Sequence, residues 1–245
     1  MRKFLIVCCA IRFAASSQSV FSQDAGLLGS WTFDEGKGDE VRDSSSTSNV
    51  GTLKGGPAWV AGKAGSALQV KPGTWVECQK PVILQDKLTI MTWVKFDAGY
   101  SARPMKDSQY PTLVYYGVDG NTGYTLKMHP ASGKLLFAAC AADDRSWLNV
   151  STQKDKWDKD VWYHIAATYD ASEGKLKIYV NGTLDNTADS TKSIFKGYGN
   201  WRLYVGAPDQ WKYQASFAGS IDELRIYGRA LTADEVQSEY QKASK

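Results

Sequence analysis

Residues Gly219 to Leu231 read G-S-I-D-E-L-R-I-Y-G-R-A-L, a pattern typical of a β-strand that completes a fold. Leu224 and Ile226 are two residues apart, so their side chains point to the same face of a strand. Asp222 has the same spacing, which predicts a carboxylate at the edge of that face. If the face is buried, the carboxylate requires a partner: a backbone N–H group, an arginine or a cation.

Before this stretch, the chain is a series of short apolar runs that are separated by turn residues, with no helices between them. This arrangement predicts an antiparallel β-sandwich and argues against alternating strands and helices. Residues Lys175–Val180 alternate between polar and apolar side chains, and the Asn181-Gly182 pair that follows is typical of a hairpin turn. Thr232 and Glu235 have the spacing of a capping box, which predicts a short C-terminal helix.

The first 22 residues have the layout of a secretory signal peptide. A basic start precedes the mostly apolar Phe4–Ala15, and small residues lead to a predicted cleavage site near Ser22. We therefore expect residues 23–245 to form one domain of a secreted, periplasmic or cell-envelope protein. The apolar run is short and is interrupted by Arg12, and no later run is longer, so no membrane span is predicted.

Removal of the leader would balance the charge of the chain. Three of the 29 lysines and arginines lie in the leader, so the remaining 26 basic residues equal the 26 acidic ones. A balanced chain does not indicate an electrostatic surface for nucleic acid, and no nucleic-acid partner is predicted. Cys78 and Cys140 would also remain, and they are compatible with either one disulfide or two buried thiols.

An ordered series of tryptophan- and glycine-containing motifs covers nearly all of the chain after the leader. They are G-S-W-T-F-D-E-G at 29–36, D-S-S at 43–45, W-V-A-G-K-A-G-S-A-L at 59–68, L-T-I-M-T-W-V at 88–94, W-Y-H-I-A-A-T-Y-D at 162–170, I-Y-V-N-G at 178–182 and the closing stretch. In this order they resemble the LamG-like jellyroll domains of the concanavalin A-like lectin/glucanase superfamily, of the bacterial secreted type. The resemblance implies an all-β fold, a two-sheet antiparallel jellyroll sandwich with its first and last strands paired.

The resemblance also implies a structural calcium near the junction of the first and last strands. Calcium is held by oxygens of carboxylates, amides and carbonyls. Asp34 follows the first strand, Asn49 lies in the polar loop after it, and Asp222 begins the last strand, so these three are the predicted metal ligands. The alternative is that Asp222 accepts backbone N–H groups at a strand end and that Asp34 only ends a strand at a turn.

Members of this superfamily bind sugars or proteins at the sheet face or at the rim loops. Exposed aromatic rings can stack on sugars, while neighbouring Asp, Asn and Gln side chains bind the hydroxyl groups. Two segments have this composition, and they supply the predicted carbohydrate contacts. The alternative is that these rings pack beneath loops. The predicted contacts are Trp211, Tyr213 and Asp209 in one segment and Trp147 and Asp144 in the other.

Catalytic motifs of the superfamily are missing from the sequence. No stretch has the paired carboxylates at strand spacing that a retaining glycosidase requires. His164 lies in a motif that the family uses as a core strand, and His129 has no evident partner. We therefore predict a secreted, non-catalytic carbohydrate-binding (lectin-like) domain, stabilised by calcium, whose partner is a glycan or polysaccharide. The alternatives are a glycoside hydrolase or polysaccharide lyase, and an adhesion or envelope domain that binds a cell-surface protein.

Overall fold

The computed structural model describes residues 25–83, 86–97, 110–117, 123–197, 201–207 and 217–242. Within these residues the chain forms sixteen β-strands and one α-helix. The strands are β1 (Leu27–Trp31), β2 (Glu40–Val41), β3 (Gly51–Lys54), β4 (Ala58–Ala61), β5 (Ser66–Val70), β6 (Trp75–Cys78), β7 (Lys87–Phe96), β8 (Thr112–Gly117), β9 (Tyr124–Met128), β10 (Leu135–Cys140), β11 (Trp147–Ser151), β12 (Trp162–Asp170), β13 (Lys175–Val180), β14 (Thr183–Asp189), β15 (Arg202–Val205) and β16 (Gly219–Tyr227), and the helix is α1 (Ala233–Lys242).

The strands form two antiparallel sheets that enclose the main hydrophobic core. The first sheet has the order β14-β13-β12-β7-β16-β5-β4, and β1 pairs with β16. The second sheet has the order β11-β10-β9-β8-β15-β6-β3-β2. Side chains from both sheets, such as Leu68, Phe137 and Leu203, are fully buried between them. This architecture confirms the predicted all-β jellyroll sandwich with a short C-terminal helix.

The closing strand lies inside the first sheet, where it pairs with three other strands. Trp31 faces Leu224 in the pairing of β1 with β16, and Gly29 faces Ile226. The predicted pairing of the first and last strands is therefore confirmed. Strand β16 also pairs with β7 and β5, so residues from both ends of the chain contribute to one continuous ladder.

A bulge in β16 changes the face on which Asp222 lies. The strand advances three residues from Asp222 to Arg225 while β7 advances only two. The bulge contains Glu223, which has a φ of 49°. Leu224 points into the core, whereas Asp222 pairs with Trp93 and lies on the opposite face. The prediction that Asp222 shares a face with Leu224 was wrong, because a bulge shifts the strand alternation by one residue.

Helix α1 covers part of the outer face of the first sheet. The Thr232 N–H donates to Glu235 Oε2 at 2.8 Å, and the Glu235 N–H donates to Thr232 Oγ1 at 3.3 Å, which confirms the capping box. Val236 is fully buried in a small second core that includes Met91. The Tyr240 ring stacks on Trp93 with a centroid distance of 5.5 Å. The helix is therefore attached by packing as well as by the chain connection.

The remaining local predictions concern one turn and two thiols. Asn181 and Gly182 have φ values of 50° and 76° and join β13 to β14, which confirms the hairpin. Cys78 and Cys140 are both buried and free, so these two residues are thiols and do not form a disulfide with each other. Within the described ranges, no helix combines the length and the apolar character needed to cross a membrane.

Candidate functional site

The outer face of the second sheet carries a row of neighbouring side chains from four strands. Strand pairing places Asn149 beside Ala138, Ala138 beside Thr125, and Thr125 beside Tyr115. These side chains point away from the core because adjacent residues such as Phe137 fill it. Ala138 and Thr125 are small and only 2% exposed, so little of their surface is open to a ligand.

Lys127 lies two residues from Thr125 along β9, so its side chain leaves the strand on the same face. Its ammonium lies near two aromatic rings. Nζ is 4.3 Å from the centroid of the Tyr110 ring and 5.5 Å from that of the Trp147 ring. Burial lowers the pKa of Lys127. Tyr110, Lys127 and Trp147 each retain partial exposure, so the group is accessible from solvent. We refer to these three residues as the Lys127 platform.

The predicted contacts Trp147 and Asp144 lie in one hairpin. Asp144 is in the turn between β10 and β11, three residues before Trp147. Its carboxylate forms an ion pair with Lys192 and also accepts the Ser146 N–H at 3.0 Å. The Lys192 and Ser146 hydrogen bonds lower the pKa of Asp144. The structure thus brings the two residues close together, but it pairs Asp144 with a lysine. Trp211, Tyr213 and Asp209 lie outside the described residues.

Two of the predicted metal ligands bind backbone groups of the β4–β5 turn and of Ser66, the first residue of β5. Asp222 Oδ2 accepts the N–H groups of Lys63 at 2.8 Å and Ala64 at 3.2 Å. Asp34 Oδ1 accepts the Ser66 N–H at 2.9 Å. Asp222 also accepts the N–H of the next residue at 2.8 Å, so three of its about four acceptor positions are filled.

The third predicted metal ligand, Asn49, binds a different segment. Its Oδ1 accepts the Lys80 N–H at 2.7 Å, and its Nδ2 donates to the Lys80 carbonyl at 2.9 Å. In the part of the chain that the structure describes, no three His, Cys, Asp or Glu side chains are grouped as metal ligands would be. Because Asn49 and Asp222 bind different backbone segments, their side chains do not fit the ligand set of one calcium ion. Asp34 is exposed, so of the three predicted ligands it is the one whose side chain is most accessible to a metal ion.

The two histidines have different environments. His164 is 2 % exposed and packs beside the stacked rings of Trp93 and Tyr240, so it has the structural position that the sequence predicts. Burial lowers the pKa of His164 to about 3, which keeps the imidazole neutral at ordinary pH. The His129 ring is 5.4 Å from the Tyr110 ring, a neighbour that the sequence did not indicate.

The comparison with protein families and curated proteins gives the following matches. The family model described as the concanavalin A-like lectin/glucanases superfamily matches residues 71–237. Adhesion G-protein coupled receptor D1 from Homo sapiens is 34% identical over 111 residues, which are 41% of this chain and 12% of the receptor. The chain thus spans only a small part of the curated relatives that it matches.

Two solved structures extend the comparison to most of the chain. The binding domain of Paraclostridial Mosquitocidal Protein 1 has a TM-score of 0.70 and 18% identity, over 90% of this chain and 53% of that one. Domain 4 of a GH43 extracellular arabinanase from Geobacillus stearothermophilus, solved with arabinotriose, has a TM-score of 0.65 and 22% identity, over 87% and 98%. At these identities the two structures show a shared fold.

Proposed function

The chain belongs to the concanavalin A-like lectin/glucanase superfamily, and on that premise we propose that it is a non-catalytic, lectin-like domain that binds carbohydrate. The observation that carries this proposal is the Lys127 platform. Two partly exposed rings, those of Tyr110 and Trp147, lie near the Lys127 ammonium. Such rings present an apolar surface to the C–H face of a sugar, while Asn149 offers a polar group beside them. The arabinotriose complex of a domain with the same fold supports this use of the fold.

A glycan array, run with and without calcium, tests the proposal. Trp147→Ala removes the ring at the edge of the platform, and we expect it to weaken binding at least about tenfold. Trp162→Ala is the matched control, because Trp162 is also partly exposed and has a lysine ammonium 4.9 Å from its ring, but lies on the first sheet. Unchanged binding by the Trp147 variant, or no binding by the parent protein, would contradict the proposal.

Export and calcium are part of the same proposal. The signal-like composition of residues 1–22 supports a secreted or cell-envelope location, and N-terminal sequencing of the natural protein would detect cleavage near Ser22. The exposed carboxylate of Asp34 beside the first and last strands supports a calcium contact there. Calcium would add an electrostatic link at that junction and would take no part in chemistry.

A polysaccharide lyase is the second candidate, because the Tyr110 phenol, the His129 imidazole and the Lys127 ammonium lie together. Such groups can transfer protons and neutralise an acidic sugar. Incubation with polyuronates, followed by ultraviolet absorbance of unsaturated products, separates catalysis from binding. A protein partner is the remaining alternative, and a pull-down from envelope extract with competing glycans distinguishes it from a sugar ligand.

A further inference from the structure

Lys127 carries a charge that has no opposite charge beside it in the described part of the chain. No carboxylate there forms an ion pair with its ammonium, and no oxygen there accepts a hydrogen bond from it. Some other lysines form ion pairs, for example Lys87 with Asp170 at 2.8 Å. A partly desolvated charge without a partner is unfavourable. A bound anion would therefore stabilise the charged side chain of Lys127.

We propose that the glycan bound at the Lys127 platform is acidic, and that a carboxylate or sulfate group on its sugar ring binds Lys127 Nζ. This inference rests on the proposed function and specifies its ligand class. The rings of Tyr110 and Trp147 hold the ammonium by cation–π contact. They do not supply a hydrogen-bond acceptor, so the N–H groups of Lys127 remain available to an anion.

The acidic side chains of the neighbouring hairpin are partly balanced by a lysine. Asp143 and Asp144 both lie within ion-pair distance of the Lys192 ammonium, which offsets one of their two negative charges. Burial lowers the pKa of Lys127, as expected for an ammonium that lacks a counter-charge. An anionic sugar would restore the missing interaction, while its ring could pack on the exposed part of Trp147.

Lys154 provides an internal comparison for this argument. Its Nζ also lies near two rings, 5.4 Å from Trp157 and 5.2 Å from Tyr163. Those two rings are only 8% and 5% exposed, so they present little surface to a ligand. Lys154 therefore has the same kind of ring contacts without an accessible aromatic platform.

The experiment uses an array of matched glycan pairs and the full chain. Each pair contains a uronate, sialate or sulfated sugar and the same sugar with its acid esterified, reduced or removed. We expect the parent protein to prefer the acidic member, and Lys127→Met to lose that preference by roughly tenfold to a hundredfold. Lys154→Met is the matched control and should keep it. The uronate, sialate and sulfate pairs distinguish the sources of the anion.

The outcomes separate this inference from the proposed function. Equal binding of acidic and neutral members, or an unchanged preference in Lys127→Met, would overturn the inference and leave carbohydrate binding intact. Binding to no sugar on the array would overturn both. Circular dichroism and thermal melting of each variant verify that a loss of binding does not result from unfolding.

Discussion

Asp34 and Asp222 accept backbone N–H groups from one short segment, residues 63–66 at the end of the β4–β5 turn and the start of β5, although one follows the first strand and the other lies in the last. Two glycines allow this close approach. A Cβ atom at Gly62 would lie 2.7 Å from Asp222 Oδ2, and one at Gly65 would lie 2.1 Å from Asp34 Oδ1. The carboxylates therefore connect both ends of the fold to this segment, and their effects on stability can be measured.

Asp222→Asn should destabilise the protein by about 1–3 kcal/mol, because the amide replaces one acceptor oxygen with a donor that faces backbone N–H groups. Urea unfolding measures the change in free energy of unfolding. The variant should remain folded, since the side-chain volume is preserved. A free energy equal to that of the parent would show that the hydrogen bonds of Asp222 are not important for stability.

The effect of Asp222 should depend on pH. Burial raises the pKa of Asp222 from 3.8 to about 7, in opposition to its hydrogen bonds from Ala64 and Lys63. The folded state then binds the proton more tightly than the unfolded state, so this group contributes a stability that falls as pH rises from about 4 to about 7. The free-energy difference between parent and Asp222→Asn should therefore shrink over that range. A difference independent of pH would mean that the carboxylate stays ionised throughout.

Calcium should raise the melting temperature, and EDTA should lower it. At a concentration of about a hundred times the dissociation constant, the ion would add about 2.7 kcal/mol to the free energy of unfolding. Asp34→Asn is the informative variant, because the amide oxygen can still accept the Ser66 N–H while the charge is lost. Its melting temperature should respond less to calcium. A parent protein that is indifferent to both calcium and EDTA would remove the calcium proposal.

Asp43 organises the loop after the first strand. Its carboxylate accepts the N–H groups of Ser30, Ser45 and Asn49 at 2.8, 2.8 and 2.9 Å, together with the hydroxyls of Ser45 and Thr47. Asp43→Asn should cost about 3 kcal/mol, because buried donors lose a charged acceptor. Ser46→Ala, at an exposed position of the same loop, is the control and should be nearly neutral.

The pH dependence of Asp43 should have the opposite sign to that of Asp222. Burial would raise the pKa of Asp43, but hydrogen bonds from Thr47, Asn49, Ser30 and Ser45 outweigh it and lower the pKa. Its contribution is complete above the ordinary value of 3.8 and is lost as pH falls below it. Denaturation at decreasing pH should show a smaller difference between parent and Asp43→Asn. A constant difference would contradict this assignment.

Alternating apolar residues predicted the central strands, while several edge elements had no such signal. Strand β14 reads T-L-D-N-T-A-D and is largely exposed, so its residues carry no buried alternation that a sequence could reveal. No sequence signal indicated the bulge at Glu223, because side chains were assumed to alternate between the two faces along the whole strand. Capping and turn signals were reliable at Thr232 and Asn181-Gly182, since their geometry depends on neighbouring residues only.

The candidate site was only partly predictable for a related reason. Trp147 and Asp144 are close in sequence, and their composition indicated a binding loop. Lys127 lies near both Tyr110 and Trp147 only because β9, β10 and β11 pair side by side and β8 lies next to β9. Sequence alternation assigns a residue to a face, but it does not say which strands are neighbours. The cation near two rings therefore became visible only in the folded structure.

As the pH is raised, binding of an acidic glycan should weaken at a lower pH than it would if Lys127 had an ordinary lysine pKa. Burial lowers the pKa of Lys127, so the ammonium loses its proton, and its attraction for an anion, at a lower pH. Lys127→Arg retains its charge at alkaline pH and should bind with little change over the same range. Among the described residues, the titratable side chain in contact with Lys127 is that of Tyr110, and His129 lies against Tyr110. Tyr110→Phe therefore serves as the control for ionisation of the phenol. Affinity measured by titration calorimetry from neutral to alkaline pH distinguishes these cases, and an equal decline in the parent and Lys127→Arg would assign the pH dependence to another group.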